Sequence, residues 1–234
     1  MRVNARPAAL EIDPRMTAIV VVDMQNDFGS RGGMFDRAGI PIDDIEAIVG
    51  PIGRVLEAGR AAGMRVAFLK MQFAEDLSDA GAPDAPNRVK HRRLGLGESS
   101  TAPDGRRGRI LVEDTWNTDI VAPLRPVAGD IVVPKHRYSG FYETSLDDRL
   151  RESGVQTLIF TGATTSVCVE STLRDAFYRD YRCLLLEDCT AEPIGGQHDR
   201  TNHDATLLVV ETLFGWVSTS NDVLAALGAA AAIR

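Results

Sequence analysis

The sequence predicts an α/β protein in three layers, with helices on both faces of a mostly parallel sheet. Three observations carry this. Short continuous apolar runs, suited to strands buried on both faces, recur along the chain. Segments with helical apolar spacing separate them, the alternation expected of a parallel sheet. No shift in composition divides the chain, so a single domain is expected over residues 1–234.

The first run, TAIVVVD at 17–23, is a strand that ends in an acid. From Asp43 to Ala62, residues Ile45, Ile48, Val49, Ile52, Val55 and Leu56 fall on one stripe, the pattern of an amphipathic helix. Gly59 continues the stripe without a side chain, Pro51 predicts a kink or a break, and Gly63 supplies a C-cap. Val66–Leu69 is the next short strand. Residues 74–119 are irregular, with Gly and Pro clusters and a basic patch from Arg88 to Arg93. A connection of that length is a functional lid or an interface arm, or else a solvated surface loop.

Regularity returns with a strand at Asp130–Val133 that runs into Pro134 and Lys135. A helix around Leu146–Ser153 and a strand at Thr157–Thr161 follow. A further helix opens near Cys168 and runs through Tyr178, and Cys183–Leu186 is another strand. Thr201–Leu213 is amphipathic. Val223–Ile233 is an Ala-rich helix for which Ser220, Asn221 and Asp222 offer N-caps.

The net charge of −7 and the isoelectric point near 5.2 argue against a nucleic-acid footprint. No apolar run approaches the ~20 residues of a membrane helix. Met1 to Arg15 carries three arginines and no apolar stretch of the kind an export signal needs. Three cysteines make no paired framework, which points to a reducing, cytoplasmic setting.

Ligands of open parallel sheets bind beyond the carboxyl ends of the strands. Three complementary reactive residues stand there: Asp23 after the first strand, Lys135 after a middle one, and Cys168 at the helix following Thr157–Thr161. Singly each has a plainer reading, as a cap, a surface charge and a packed thiol. Together they suggest a nucleophile with its base. A helix start and a neighbouring ammonium would both favour a Cys168 thiolate. Cys183 reads as core, and Cys189 as core or pocket lining. The turn Gly162 to Val167, small and hydroxyl-rich, could present backbone N–H groups to an oxyanion; equally, Thr165 or Ser166 could cap the helix.

The runs VVDMQNDF at 21–28, PKHRYSGFYET at 134–144 and GATTSVCVESTLRDAF at 162–177 together resemble the isochorismatase-like cysteine hydrolases. The resemblance spans roughly Thr17 to Ser218 and implies their Rossmann-like hydrolase fold. RYSGF at 137–141, VCVESTLRD at 167–175 and ETLFGWVS at 211–218 look most like the ureidoacrylate amidohydrolases. Biuret, triuret and N-carbamoylsarcosine hydrolases are near relatives, and all cleave C–N bonds of small ureido compounds. The resemblance implies Cys168 as nucleophile, Asp23 as general base and later acid, and Lys135 as the cation that holds both in charged form. It also implies a cis peptide at Ala163–Thr164, which turns the Thr164 N–H toward the oxyanion beside that of Cys168. Relatives form tetramers, so a homo-oligomer is expected.

Departures sharpen this reading. True isochorismatases lack the nucleophilic cysteine, so Cys168 favours amide over vinyl-ether hydrolysis. Nicotinamidases carry an Asp and two His in a metal site after the second strand, whereas LKMQFAEDLSDAG at 69–81 has no histidine. His91, His136, His198 and His203 show no ligand spacing, so no metal and no cofactor are expected. His136 is placed near the pocket, and His198 and His203 on the surface. The ureidoacrylate enzymes have Asn and Trp where this chain has Met71, Gln72 and Phe73, which leaves biuret-like and triuret-like substrates open. Gln72 could hydrogen-bond a urea group. Arg137 could pair with a substrate carboxylate, or form a surface or subunit salt bridge. Phe35 and Tyr138 could wall the pocket, or simply pack. The rivals are a maleamate-like or nicotinamide-like amidase and a catalytically silent scaffold of the same fold.

Overall fold

The computed structural model describes residues 1–232; Ile233, the last residue of the expected terminal helix, lies outside the described residues. A small antiparallel pair, β1 (Arg2–Val3) and β2 (Leu10–Glu11), precedes the main sheet. That sheet contains β3 (Thr17–Val22), β4 (Arg65–Met71), β7 (Ile131–Lys135), β8 (Thr157–Ala163), β9 (Arg182–Ala191) and β10 (Trp216–Ser218). Its order is β10-β9-β8-β3-β4-β7, with every pairing parallel. The remaining strands, β5 (Ser99–Thr101) and β6 (Arg107–Arg109), form a separate hairpin.

The side chains of β3 alternate between two cores, as a doubly covered strand requires. Ile19 and Val21 face the layer of α3 (Asp43–Ala47), α4 (Val49–Ala61) and α9 (Ser220–Ala232), which contributes Ile45, Ile52, Val55, Leu56, Val223 and Leu227. Ala18, Val20 and Val22 face α6 (Leu146–Glu152) and α7 (Glu170–Phe177), through Leu146, Leu150, Leu173 and Ala176. The predicted three-layer α/β/α class is the observed one. Gly59 packs its bare backbone on the sheet, where an added Cβ would meet Ile19 Cδ1 at 2.4 Å.

Several local expectations need correction. The 43–62 helix is two helices meeting at Ile48, ahead of Pro51 rather than at it; Pro51 sits in the first turn of α4, where its missing N–H costs no hydrogen bond. The strand after Cys183 is longer than Cys183–Leu186 and contains Cys189. It bulges there, because register passes from Phe160↔Leu185 to Gly162↔Thr190. Thr201–Leu213 is α8 (Asn202–Val209) continued by a π turn at Val210–Phe214. The terminal helix begins at Ser220 and is capped by Thr219, whose Oγ1 accepts from Asp222 N at 3.2 Å.

Segment 74–119 differs most from expectation. It holds α5 (Pro86–Arg92) and the β5–β6 hairpin, and it buries Leu96, Ile110, Leu111 and Val112 against the main core. It is neither a solvated loop nor an arm held away from the body; it folds back over the strand ends. Two further short helices, α1 (Asn26–Gly29) and α2 (Met34–Arg37), lie beneath it. No helix among the described residues is long and apolar enough to cross a membrane.

Candidate active site

The site lies where β8, β3, β4 and β7 end. The chain leaves β3 at Asp23 with φ +48°, a left-handed residue that turns sharply over the neighbouring strand. Its N–H donates to Leu69 O at 3.1 Å, and its Oδ1 accepts from Met71 N at 3.0 Å. The carboxylate therefore sits over the end of β4, facing the next strand, whose last residue Lys135 pairs in register with Met71. Lys135 Nζ is 2.7 Å from Asp23 Oδ2, and both side chains are almost wholly buried. Nζ also donates to Arg137 O at 3.2 Å and lies 3.6 Å from Met71 Sδ. Pro134, just before it, is tolerated because β7 is the edge of the sheet.

Cys168 arrives from the other side. β8 ends at Gly162 and Ala163 and passes through a cis Ala163–Thr164 peptide into a π turn, Thr165–Val169, before α7 begins. Gly162 has φ +106°, and a Cβ there would lie 2.1 Å from Val22 O, so glycine is required where β8 crosses close to β3. The Cys168 thiol is buried beside them, close enough that Asp23 and Lys135 both act on its ionisation. The structure thus brings together three residues far apart in sequence, with Ala163 and Thr164 in the turn beside them.

The electrostatics correct the expectation of a resting thiolate. Cys168 lies inside a π turn instead of opening an α-helix, and burial pushes its thiol well above the ordinary value, against the opposing pull of Lys135. Burial also raises the Asp23 carboxyl, with Lys135 countering. For Lys135, burial disfavours the ammonium, but Asp23 and Cys168 outweigh it and hold the pKa above that of an ordinary lysine. Lys135 is thus held charged, while burial works against charge on both Cys168 and Asp23.

The cap expected from Thr165 or Ser166 is supplied from outside the turn. Glu192, just past β9, accepts from Ser166 N at 2.8 Å and from Ser166 Oγ at 2.5 Å. Thr165 Oγ1 instead contacts His203 Nδ1 at 2.9 Å, which moves His203 from the expected surface to the back of the turn that carries Cys168. Thr172 ties that turn to the loop after β7: its Oγ1 donates to Cys168 O at 2.6 Å and accepts from Gly140 N at 3.0 Å. Ser139 Oγ donates to Asp175 beside it.

Sequence reasoning missed Glu192, Thr172 and the polar residues following Asp23. Gln25 Nε2 donates to Met71 O and Thr118 O, both at 3.0 Å, and its Oε1 accepts from Met71 N at 2.7 Å. Asp27 holds the cover through Leu111 N, Met34 N and Asn117 Nδ2. The available signal was polar residues standing directly after a buried strand, where each needs partners.

The remaining predicted residues are spread around this centre. Tyr138 is partly exposed, and its phenol is pushed up by burial and by Cys168 nearby. Gln72 is half-buried, and its backbone N–H donates to Lys135 O at 3.0 Å. Arg137 Nη1 donates to Asp79 O at 3.0 Å and His136 O at 2.7 Å, so it latches the cover instead of forming a surface ion pair. Phe35 is a core ring packed edge-on against Phe28 at 5.1 Å. His136 pairs with Glu143 at 3.3 Å. Cys183 and Cys189 are buried, and burial pushes the Cys183 thiol up to about 12. No cluster of three or more His, Cys, Asp or Glu among the described residues is placed to hold a metal ion.

Residues 17–222 match the model of the isochorismatase domain. The chain belongs to the isochorismatase family. It is 43% identical over 218 residues to a protein of Variovorax paradoxus named ureidoacrylate amidohydrolase RutB, covering 93% of this chain and 84% of the relative. A protein of the same name from Agrobacterium fabrum is 40% identical, covering 100% of this chain and 99% of the relative. A cysteine hydrolase from Pseudomonas syringae pv. phaseolicola superimposes with a TM-score of 0.76 at 31% identity, over 94% of this chain and 96% of that one. The N-carbamoylsarcosine amidase of Thermoplasma acidophilum does so with a TM-score of 0.64 at 28% identity, over 88% and 96%. This isochorismatase-family chain is a hydrolase acting on carbon–nitrogen bonds.

Proposed function

We propose that the chain hydrolyses a small ureido compound, with ureidoacrylate as the leading substrate, through a thioester on Cys168. The observation that carries this is the buried Asp23–Lys135 ion pair at the strand ends, with the buried Cys168 thiol brought beside it. The full-length similarity to proteins named ureidoacrylate amidohydrolase favours that substrate over biuret and triuret. Arg137 suits its carboxylate, because only Nη1 of the guanidinium is engaged by the cover.

Asp23 takes the thiol proton as Cys168 attacks the ureido carbonyl carbon, a transfer favoured only once substrate is in place, since burial keeps the thiol protonated at rest. Lys135 stays charged and offsets the negative charge as it moves from carboxylate to sulfur. Backbone N–H groups of Thr164 and Cys168 hold the oxyanion; one such donor contributes ~3–4 kcal/mol. Protonated Asp23 then delivers its proton to the leaving nitrogen. Water, deprotonated by Asp23, releases the acyl group and restores the thiol. A carbamoyl group released in this way decays to ammonia and carbon dioxide. The substrate is the small-molecule partner of the site, and a homo-oligomer, a tetramer by family resemblance, is the proposed assembly.

Ammonia release from ureidoacrylate, biuret, triuret, N-carbamoylsarcosine, maleamate and nicotinamide tests the reading, with Cys168→Ser in parallel. Turnover of the ureido compounds, lowered at least about a thousandfold in the variant, is expected. Turnover of nicotinamide or maleamate alone would sink the ureido assignment.

A further inference from the structure

His91 is a buried titratable side chain that this reaction leaves unused. It lies on α5 within the cover and is only 5% exposed as a residue. Nδ1 is 2.8 Å from the Asn87 carbonyl one helical turn back. A carbonyl only accepts, so Nδ1 carries the hydrogen and Nε2 is left with its lone pair. Nε2 has no hydrogen-bond partner among the described residues and is not one of the fully enclosed unpartnered atoms, so it stays open to solvent as an acceptor. The ring packs against Phe73, at 5.4 Å, and Tyr138, at 5.6 Å. These follow β4 and β7, the two strands whose ends seat Asp23 and present Lys135. The ring stays neutral, because burial lowers its pKa and the nearby Lys135 and Arg137 cations lower it further.

We infer that His91 is a substrate-binding residue, its Nε2 lone pair accepting a ureido N–H beside the partly exposed Tyr138. This rests on the ureido reading above. A neutral acceptor at this point selects for the donor end of a planar urea and against a carboxylate or ether oxygen there, since two acceptors facing each other in a buried site leave both unsatisfied. The donor end of the substrate then faces α5, and an anionic end, where the substrate has one, faces Arg137.

The test is steady-state kinetics of the full chain on ureidoacrylate and biuret, comparing wild type with His91→Phe and His91→Gln. Phe keeps the aromatic packing and deletes the acceptor; Gln restores an acceptor. For His91→Phe, KM is expected to rise about tenfold, the effect of one lost hydrogen bond, with kcat changed less than twofold. His91→Gln should recover most of that loss. Alkylation of Cys168 by iodoacetamide should proceed at the wild-type rate in both variants, reporting an intact nucleophile pocket. An unchanged KM in His91→Phe overturns the inference. So does a joint fall in melting temperature, kcat and alkylation rate that His91→Gln fails to rescue, because that marks a packing residue. Wild-type activity confined to non-ureido amides overturns the functional reading itself, a result separable from the others because it needs no variant.

Discussion

Two buried carboxylates, Asp23 and Asp27, stand four positions apart after β3, in two regions that look alike and act differently. Burial pushes both carboxyls above the ordinary value. Asp27 is fully engaged by neutral donors. Its Oδ1 accepts from Met34 N at 3.0 Å and Asn117 Nδ2 at 2.6 Å, and its Oδ2 from Leu111 N at 2.6 Å. Asp23 has a single backbone donor on Oδ1, and its Oδ2, though 2.7 Å from Lys135 Nζ, has no donor aligned on it. The first pins the cover to the core. The second keeps one oxygen free of any aligned donor. Burial and a raised pKa do not by themselves separate a reactive carboxylate from a structural one; the number and alignment of donors do.

The strongest test of that contrast is Asp23→Asn, which removes the base while nearly preserving shape. A fall in kcat of at least about a thousandfold is expected; near-normal turnover would make Asp23 a second structural carboxylate. Lys135→Met comes next. It leaves Asp23 buried without a counter-charge, and urea denaturation should register a loss of about 3–5 kcal/mol, unless Asp23 takes up a proton. In that event the carboxyl stretch of a protonated acid would be visible by infrared spectroscopy. Asp27→Asn should cost about 1–3 kcal/mol, since one of three buried donors loses its acceptor. The folded fraction should retain its turnover rate, and loss of turnover with stability unchanged would break the comparison from the other side.

The smallest effect is in the pH profile. Asp23 must be ionised to act as base, so kcat/KM falls as pH drops through its pKa. Because burial raises that pKa, the acid limb should lie above the usual carboxylate range. A limb near pH 4 would mean that Lys135 outweighs burial.

Much of the fold was legible because its signals are local. The run at 17–22 reads as a buried strand from composition alone, and the stripe through Ile45, Ile52 and Val55 reads as a helix from its period. The break at Ile48 was less legible, because a proline marks a boundary region without naming the residue where the turn is made. A lid was one of the readings open for residues 74–119, but how that cover is ordered over the strand ends was not legible. Its order depends on Asp27 meeting Leu111 and Asn117, residues more than eighty positions away, and no periodicity reports such a contact. Glu192 beside Ser166 is a similar case: an acid after a strand is unremarkable until the bulge in β9 brings it to the turn that carries Cys168.

The sequence by itself determined the alternation of strands and helices and the standing of Asp23, Lys135 and Cys168 at strand ends, because hydrophobic period and local order specify both. Only the tertiary structure decided that burial works against charge on Cys168, that segment 74–119 closes over the strand ends, and that the buried His91 packs against Phe73 and Tyr138. Those properties come from burial and from contacts between distant segments, and desolvation acts on a group only once the fold has taken it out of water.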